Sequence, residues 1–302
     1  MPASAVAARR PGRRRWRTDL ALFAAAVLLG TLLLALAAEP LVAKWLGTDA
    51  EAVDLLARLE PPSAAHPLGT DELGRDVLLR LLQGGRVSLL IGLGGAVLAA
   101  AIGSAIGIVA GYLGGATDAV LMRLTDTVIS LPLLPLLIVL AAVDLGKLGL
   151  PAQAELVSVA RIVVIVALFG WTTSARLARA SALSLRRREF VLAARAMGAG
   201  PARIMWRHVL PNALGPLIVA TTLSIGNVIL VESVLSFLGL GIQPPLASWG
   251  NMLTGAQELL FEAPRLALLP GLLIFLSVLA FNLLGDGLHA ALEPRQLRPP
   301  SP

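Results

Sequence analysis

An apolar run of about 20 residues, long enough to carry a helix across ~30 Å of hydrocarbon, occurs six times in this chain. The runs lie near Leu20–Ala38, Val87–Leu113, Val120–Val143, Leu156–Ala175, Val209–Val231 and Leu266–Leu288. They point to one fold class, an all-α polytopic membrane protein with about six transmembrane helices. Composition agrees: 56% of the 302 residues are hydrophobic and 15% are charged, a balance outside that of ordinary soluble domains. The absence of cysteine excludes a disulfide framework and a thiolate metal site.

The net charge of +6 raises the possibility of a nucleic-acid partner, which the distribution of charge argues against. Basic residues gather in RRPGRRRWR near the amino terminus and around residues 176–208, without a base-reading motif. In a membrane protein such clusters mark the cytoplasmic side. With the amino terminus inside, 17 of the 25 Lys and Arg fall on inner segments. The expected plan is a basic cytoplasmic tail (1–18), an anchor helix (19–38), an extracytoplasmic segment (39–86), a five-helix core (87–288) with a cytoplasmic loop at 176–208, and a cytoplasmic tail (289–302). A signal peptide is the rival reading of the first run. Its roughly 19 apolar residues exceed the 7–15 of a cleavable leader, which favours an uncleaved anchor.

The second run carries a small residue at every fourth position: Gly95, Ala99, Gly103, Gly107 and Gly111. Such a stripe lets another helix backbone approach closely, within the chain or from a second subunit. In the inner connector, Phe190, Ala193, Ala194 and Met197 follow the i, i+3, i+4, i+7 spacing of one helical face, with Arg187, Arg188 and Arg195 on another. Gly198 is placed to end that helix in the left-handed conformation, and Pro201 to open a second helix running toward His208. The pattern reads equally as a helix–turn–helix elbow or as an amphipathic helix resting on headgroups.

The stretch "AARAMG", followed after nine residues by "HVLP", resembles the cytoplasmic signature loop of ABC-importer permeases. That signature reads Glu-Ala-Ala, three residues, Gly, nine residues, Ile-x-Leu-Pro. Leu192 stands at its Glu and His208 at its Ile, while Gly198, Leu210 and Pro211 match. "HPLGTDELGRDVLLRLLQGGRVSL", "MRLTDTVISLPLLPLLIVL", "ESVLSFLGLGIQPPLASWGNML" and "NLLGDGLHAALEPR" are similar to the second permease of the dipeptide/oligopeptide/nickel branch. Most of the chain after the first run is covered.

The resemblance implies the type I ABC-importer permease fold. It also implies a complex with a paired homologous permease, two ABC ATPase subunits and an extracytoplasmic binding protein, in a bacterial-type cell membrane. The connector is then the coupling loop, with Glu189, Phe190, Ala193, Ala194, Met197, Gly198, Pro201, His208 and Pro211 as its site residues. Arginines there would meet the ATPase or lipid phosphate. ATP and Mg are expected on the partner ATPases. This chain is expected to bind no cofactor and to catalyse nothing, since its two lysines, Lys44 and Lys147, lie outside any phosphate-binding G-x-x-x-x-G-K-[ST] run. Hydrolase signatures such as H-E-x-x-H and G-x-S-x-G are missing too.

Of the polar residues in or beside the runs, Asn227 is the candidate for the translocation path. Arg123 and Asp126 are expected to pair with each other, Asp286 to lie near the inner surface and Glu232 near the outer one. Short peptides are the expected substrate, with a nickel chelate or glutathione as the alternative. A secondary transporter is the competing class, and it should show ionisable residues at mid-membrane or paired broken spans. The outer segments 39–86 and 232–265 are long enough to hold short helices that meet the binding protein.

Overall fold

A computed structural model of the chain describes residues 12–143, 155–256 and 258–292. Expectations placed on the two terminal tails fall mostly outside these residues. Helices dominate: α1 (Gly12–Ala37), α2 (Glu39–Leu46), α3 (Val77–Leu113), α4 (Gly115–Ser130), α5 (Leu133–Ala141) and α6 (Glu155–Leu185). They are followed by α7 (Glu189–Ala196), α8 (Pro201–Ile204), α9 (Leu210–Phe237) and α10 (Arg265–Leu292). Among the described residues the only extended pairing is an isolated bridge, Thr70 to Asp76.

Five stretches are each long and apolar enough to cross a membrane: Leu20–Ala37, α3, Leu156–Leu185, the rod Pro201–Phe237 and α10. The third expected span is not the straight helix that Val120–Val143 suggests. It is the pair α4 and α5, bent by 84°. The cause is Pro132, which caps α5 and holds the preceding Leu131 extended at φ −76°, ψ 140°, because the proline ring disfavours helical backbone at the residue before it.

Helix directions follow from close contacts between named residues. Gly103, Gly107 and Gly111 of α3 lie against the backbone of Trp171, Ala175 and Arg179 of α6, so α3 and α6 run parallel. The small-residue stripe therefore serves packing within the chain. A parallel pair requires the chain between its members to return across the membrane, and α4 and α5 lie on that return. Antiparallel contacts set the rest: Gly92 of α3 against Ile229 of α9, Gly226 of α9 against Val278 of α10, and Gly287 of α10 against Leu22 of α1. The described chain thus makes an even number of crossings, with the starts of α1 and α8 and the end of α10 on one face.

Helices overrun the apolar runs at both ends. α3 begins ten residues before Val87, its first turn capped by the Asp76 carboxylate, which accepts from the Leu79 amide at 2.9 Å. Arg86, charged and therefore outside the hydropathy signal, pairs with Glu39 of α2 at 2.8 Å. On the opposite face α6 continues to Leu185, so the inner loop proper begins at Arg186. The largest core cluster joins α3, α6, α9 and α10 to the outer segment through Trp249, which is fully buried and donates from its indole Nε1 to the Leu81 carbonyl at 2.9 Å.

Candidate functional site

The inner connector is a capped elbow. Glu189 opens α7, where its charge complements the amino-terminal end of the helix dipole, and Arg195 closes it with the opposite complement. Gly198 sits at φ +84°, the left-handed conformation expected for it. The Gly198 amide donates to the Arg195 carbonyl and the Ala199 amide to the Ala194 carbonyl, both at 3.0 Å. Those two bonds make a Schellman stop. Gly200 then caps α8 and Pro201 occupies its first turn, where a missing N–H costs nothing.

Between α8 and α9 the residues Met205–Val209 form a single π turn. Pro211, two residues further, explains it. Proline cannot donate to the carbonyl four residues back, and its ring would collide with that group, so a wider turn relieves the conflict. The Asn212 side chain bonds the His208 carbonyl at 2.7 Å. The rod Pro201–Phe237 is consequently one element running from the elbow to the opposite face.

The elbow is fixed to three spans. Val191 and Ala194, 0% and 2% exposed, enter a cluster with Ile108 and Tyr112 of α3, Ala178 and Ala182 of α6, and Val209 and Ala213 at the base of the rod. Arg195 donates to the Tyr112 hydroxyl at 3.2 Å with its guanidinium 5.6 Å from the ring centre. Arg186 donates to the Gly111 carbonyl at 3.2 Å. The Phe190 and His208 rings stand 6.5 Å apart across the turn. Below the elbow, Arg179 of α6 holds Asp118 of α4 through two bonds of 2.6 and 2.7 Å.

Two expectations are corrected here. The expected apolar face is divided: Ala194 is turned into the chain's own core with Val191, whereas Phe190 and Met197 are 41% and 81% exposed and Ala193 is exposed with them. The i, i+3 pair that binds the elbow to the spans is thus Val191 and Ala194, shifted by one position from the face read in the sequence. Asp126, for its part, pairs with Arg176 of α6 at 2.6 Å, not with Arg123. Bridging to a neighbouring helix wins over pairing along one turn because α6 lies beside α4.

Asn227 is exposed on the rod and lines a cleft of about 500 Å³. Thr172 and Thr173 of α6, Ser224 of the rod and Leu133 and Leu137 of α5 line the same cleft. Its wall is amide, hydroxyl and hydrocarbon, with no charged side chain among the lining residues. The bend between α4 and α5 puts α5 on this wall; it is the one broken span found, without a second to pair with it among the described residues. Glu232 lies toward the end of the rod away from the elbow and is 0% exposed. Arg161 of α6, unnoticed in the sequence because a single charge barely lowers a hydropathy window, donates to the Leu240 and Gly241 carbonyls just beyond the rod.

Comparison with known proteins adds independent findings. Residues 103–298 match the family model described as binding-protein-dependent transport system inner membrane component. A putative peptide permease protein of Brucella suis is 42% identical over 98% of this chain and 93% of its own length. The glutathione transport system permease protein of Pectobacterium atrosepticum is 40% identical over 95% of this chain and 92% of its own. The oligopeptide transport system permease protein of Bacillus subtilis is 37% identical over 82% and 77%.

Proposed function

This chain belongs to the binding-protein-dependent transport system inner membrane components, and from that premise we propose that it moves short peptides across the membrane as one of two permease subunits of an ABC importer. The elbow carries this reading. A rigid, Schellman-capped turn is bonded to α3, α6 and the rod, while Phe190, Ala193 and Met197 face outward from it. Such an element transmits a push on its exposed face as a tilt of the spans, where a flexible loop would absorb it.

The face bearing the elbow is the cytoplasmic one. Arg186, Arg187, Arg188, Arg195, Arg203 and Arg207 all lie within 22 residues there, and excess basic charge marks that side. Two ABC ATPase subunits dock on it and supply ATP and Mg chemistry. The opposite face, with α2 and the segment 238–264, receives the loaded binding protein. A homologous permease completes the path, with Asn227, Thr172, Thr173 and Ser224 on this subunit's wall. Amide and hydroxyl groups can bond a peptide backbone of any sequence, which suits a carrier of varied side chains. Two relatives whose names specify peptide transport, and a third named for the tripeptide glutathione, support the same substrate class.

The test is uptake by the complete complex in proteoliposomes. Labelled di- to oligopeptides delivered by the binding protein should accumulate only with ATP present. Nickel uptake without peptide uptake would reassign the substrate, and peptide uptake driven by an ion gradient in the absence of ATP would place the chain among secondary carriers.

A further inference from the structure

The buried carboxylate at the outer end of the rod has no part in the account so far. Ser88 of α3 donates its hydroxyl to Glu232 Oε2 at 3.0 Å, and Ser236 donates to Glu232 Oε1 at 2.7 Å. Each serine, its proton so committed, offers a lone pair to the outer segment: the Trp249 amide donates to Ser88 Oγ at 3.2 Å and the Ile242 amide to Ser236 Oγ at 3.1 Å. Glu232 thus meets both hydroxyls and through them holds two points of residues 238–256. Burying an ionisable group within a span is costly, which makes the position a candidate for function. The same two helices that carry this latch carry the elbow's anchors at their far ends, with Tyr112 on α3 and Val209 at the base of the rod.

We propose that Glu232 is the positioning residue that relays docking of the loaded binding protein, from the outer segment through the rod and α3, to the cytoplasmic elbow. The inference rests on the permease reading above. Its logic is mechanical: an outer segment held at Trp249 and Ile242 moves together with the rod, whereas one released from the two serines shifts without moving the rod.

The experiment uses the complete complex in lipid nanodiscs and reads ATP hydrolysis with and without peptide-loaded binding protein. Glu232→Ala should keep ATPase subunits bound and basal hydrolysis near the unaltered level. Stimulation by the binding protein should fall by about tenfold, a size ordinary for coupling between distant sites. Glu232→Gln, which keeps one acceptor oxygen and can donate from its amide to the other serine, should restore most of the stimulation. Ser88→Ala removes one arm without leaving a cavity larger than a hydroxyl, and should show the same selective loss if Glu232→Ala does not assemble. Full stimulation in both alanine variants overturns the proposal. So does parallel loss of basal and stimulated hydrolysis, or a glutamine variant as defective as the alanine one. Failure of the unaltered chain to retain ATPase subunits would instead sink the permease reading.

Discussion

At Gly198 the requirement is conformational and nothing else. Its φ is +84° and no atom lies within 4 Å of where a Cβ would stand, so a substitution there meets empty space and pays only for backbone strain. A left-handed conformation costs an ordinary residue roughly 1–2 kcal/mol, with asparagine spared much of it. Gly198→Asn should therefore transport nearly as the unaltered chain, while Gly198→Val should insert normally and lose peptide uptake or ATPase attachment. Parallel uptake and co-purification assays read the order Gly, Asn, Val; equal behaviour of all three would show that the turn does not need its left-handed residue. Asn227 faces the other question, what passes. Replacing it by aspartate puts a charge on a wall that has none, and since like charges brought together cost several kcal/mol, Asn227→Asp should shift competition between a lysyl and a glutamyl peptide toward the lysyl one by about tenfold. No shift in that competition assay would remove Asn227 from the path.

The α3–α6 pair shows what an element needs from its smallest residues. A Cβ on Gly103 would overlap the Trp171 carbonyl, yet one on Gly94 of the same helix would touch only Val163 at 3.6 Å, an ordinary contact. Overpacking costs roughly 1–3 kcal/mol where the neighbour is unable to yield, and backbone yields least. Gly103→Ala should lower the thermal unfolding midpoint in detergent by several degrees, with Gly94→Ala near neutral; the reverse order would contradict the parallel packing. Much of this level was legible in the sequence. The four-residue spacing showed a close-packed face, and Gly198 and Pro201 marked both sides of the elbow's turn. The helix ends were not, because hydropathy registers the hydrocarbon layer while α3 and α6 continue through charged residues beyond it. Nor was the bend at Pro132, whose flanking leucines keep the window apolar across the break. Glu232 lay in plain view, but its partner Ser88 is 144 residues away along the chain, a distance over which no local pattern operates. Val191 was passed over because Phe190 and Met197 complete a more regular helical spacing.

For the whole molecule, sidedness decides which partners can reach the elbow. Parallel α3 and α6 require a return crossing, the remaining contacts alternate, and the elbow must then lie on the same face as the start of α1. The proposed reading takes that arginine-rich face as the cytoplasmic one. A reporter active only outside the cytoplasm should be silent when fused after Arg195 and active when fused within the segment 238–264; activity after Arg195 would invert the molecule and remove the elbow from its ATPases.

The central claim is that the exposed side of this elbow is where the ATPase acts. The chain contains no cysteine, so each introduced cysteine is unique within it. Met197 is 81% exposed on the elbow, Ala194 is 2% exposed beside it, and Phe261 is 99% exposed on the opposite face. Met197→Cys, Ala194→Cys and Phe261→Cys, each in the assembled complex, can be treated with a short thiol crosslinker and probed for attachment to an ATPase subunit. The account predicts a crosslink from position 197 alone, with its yield changing when ATP is bound. A crosslink from position 261, or none from 197 in a complex that hydrolyses ATP and imports peptide, would contradict it.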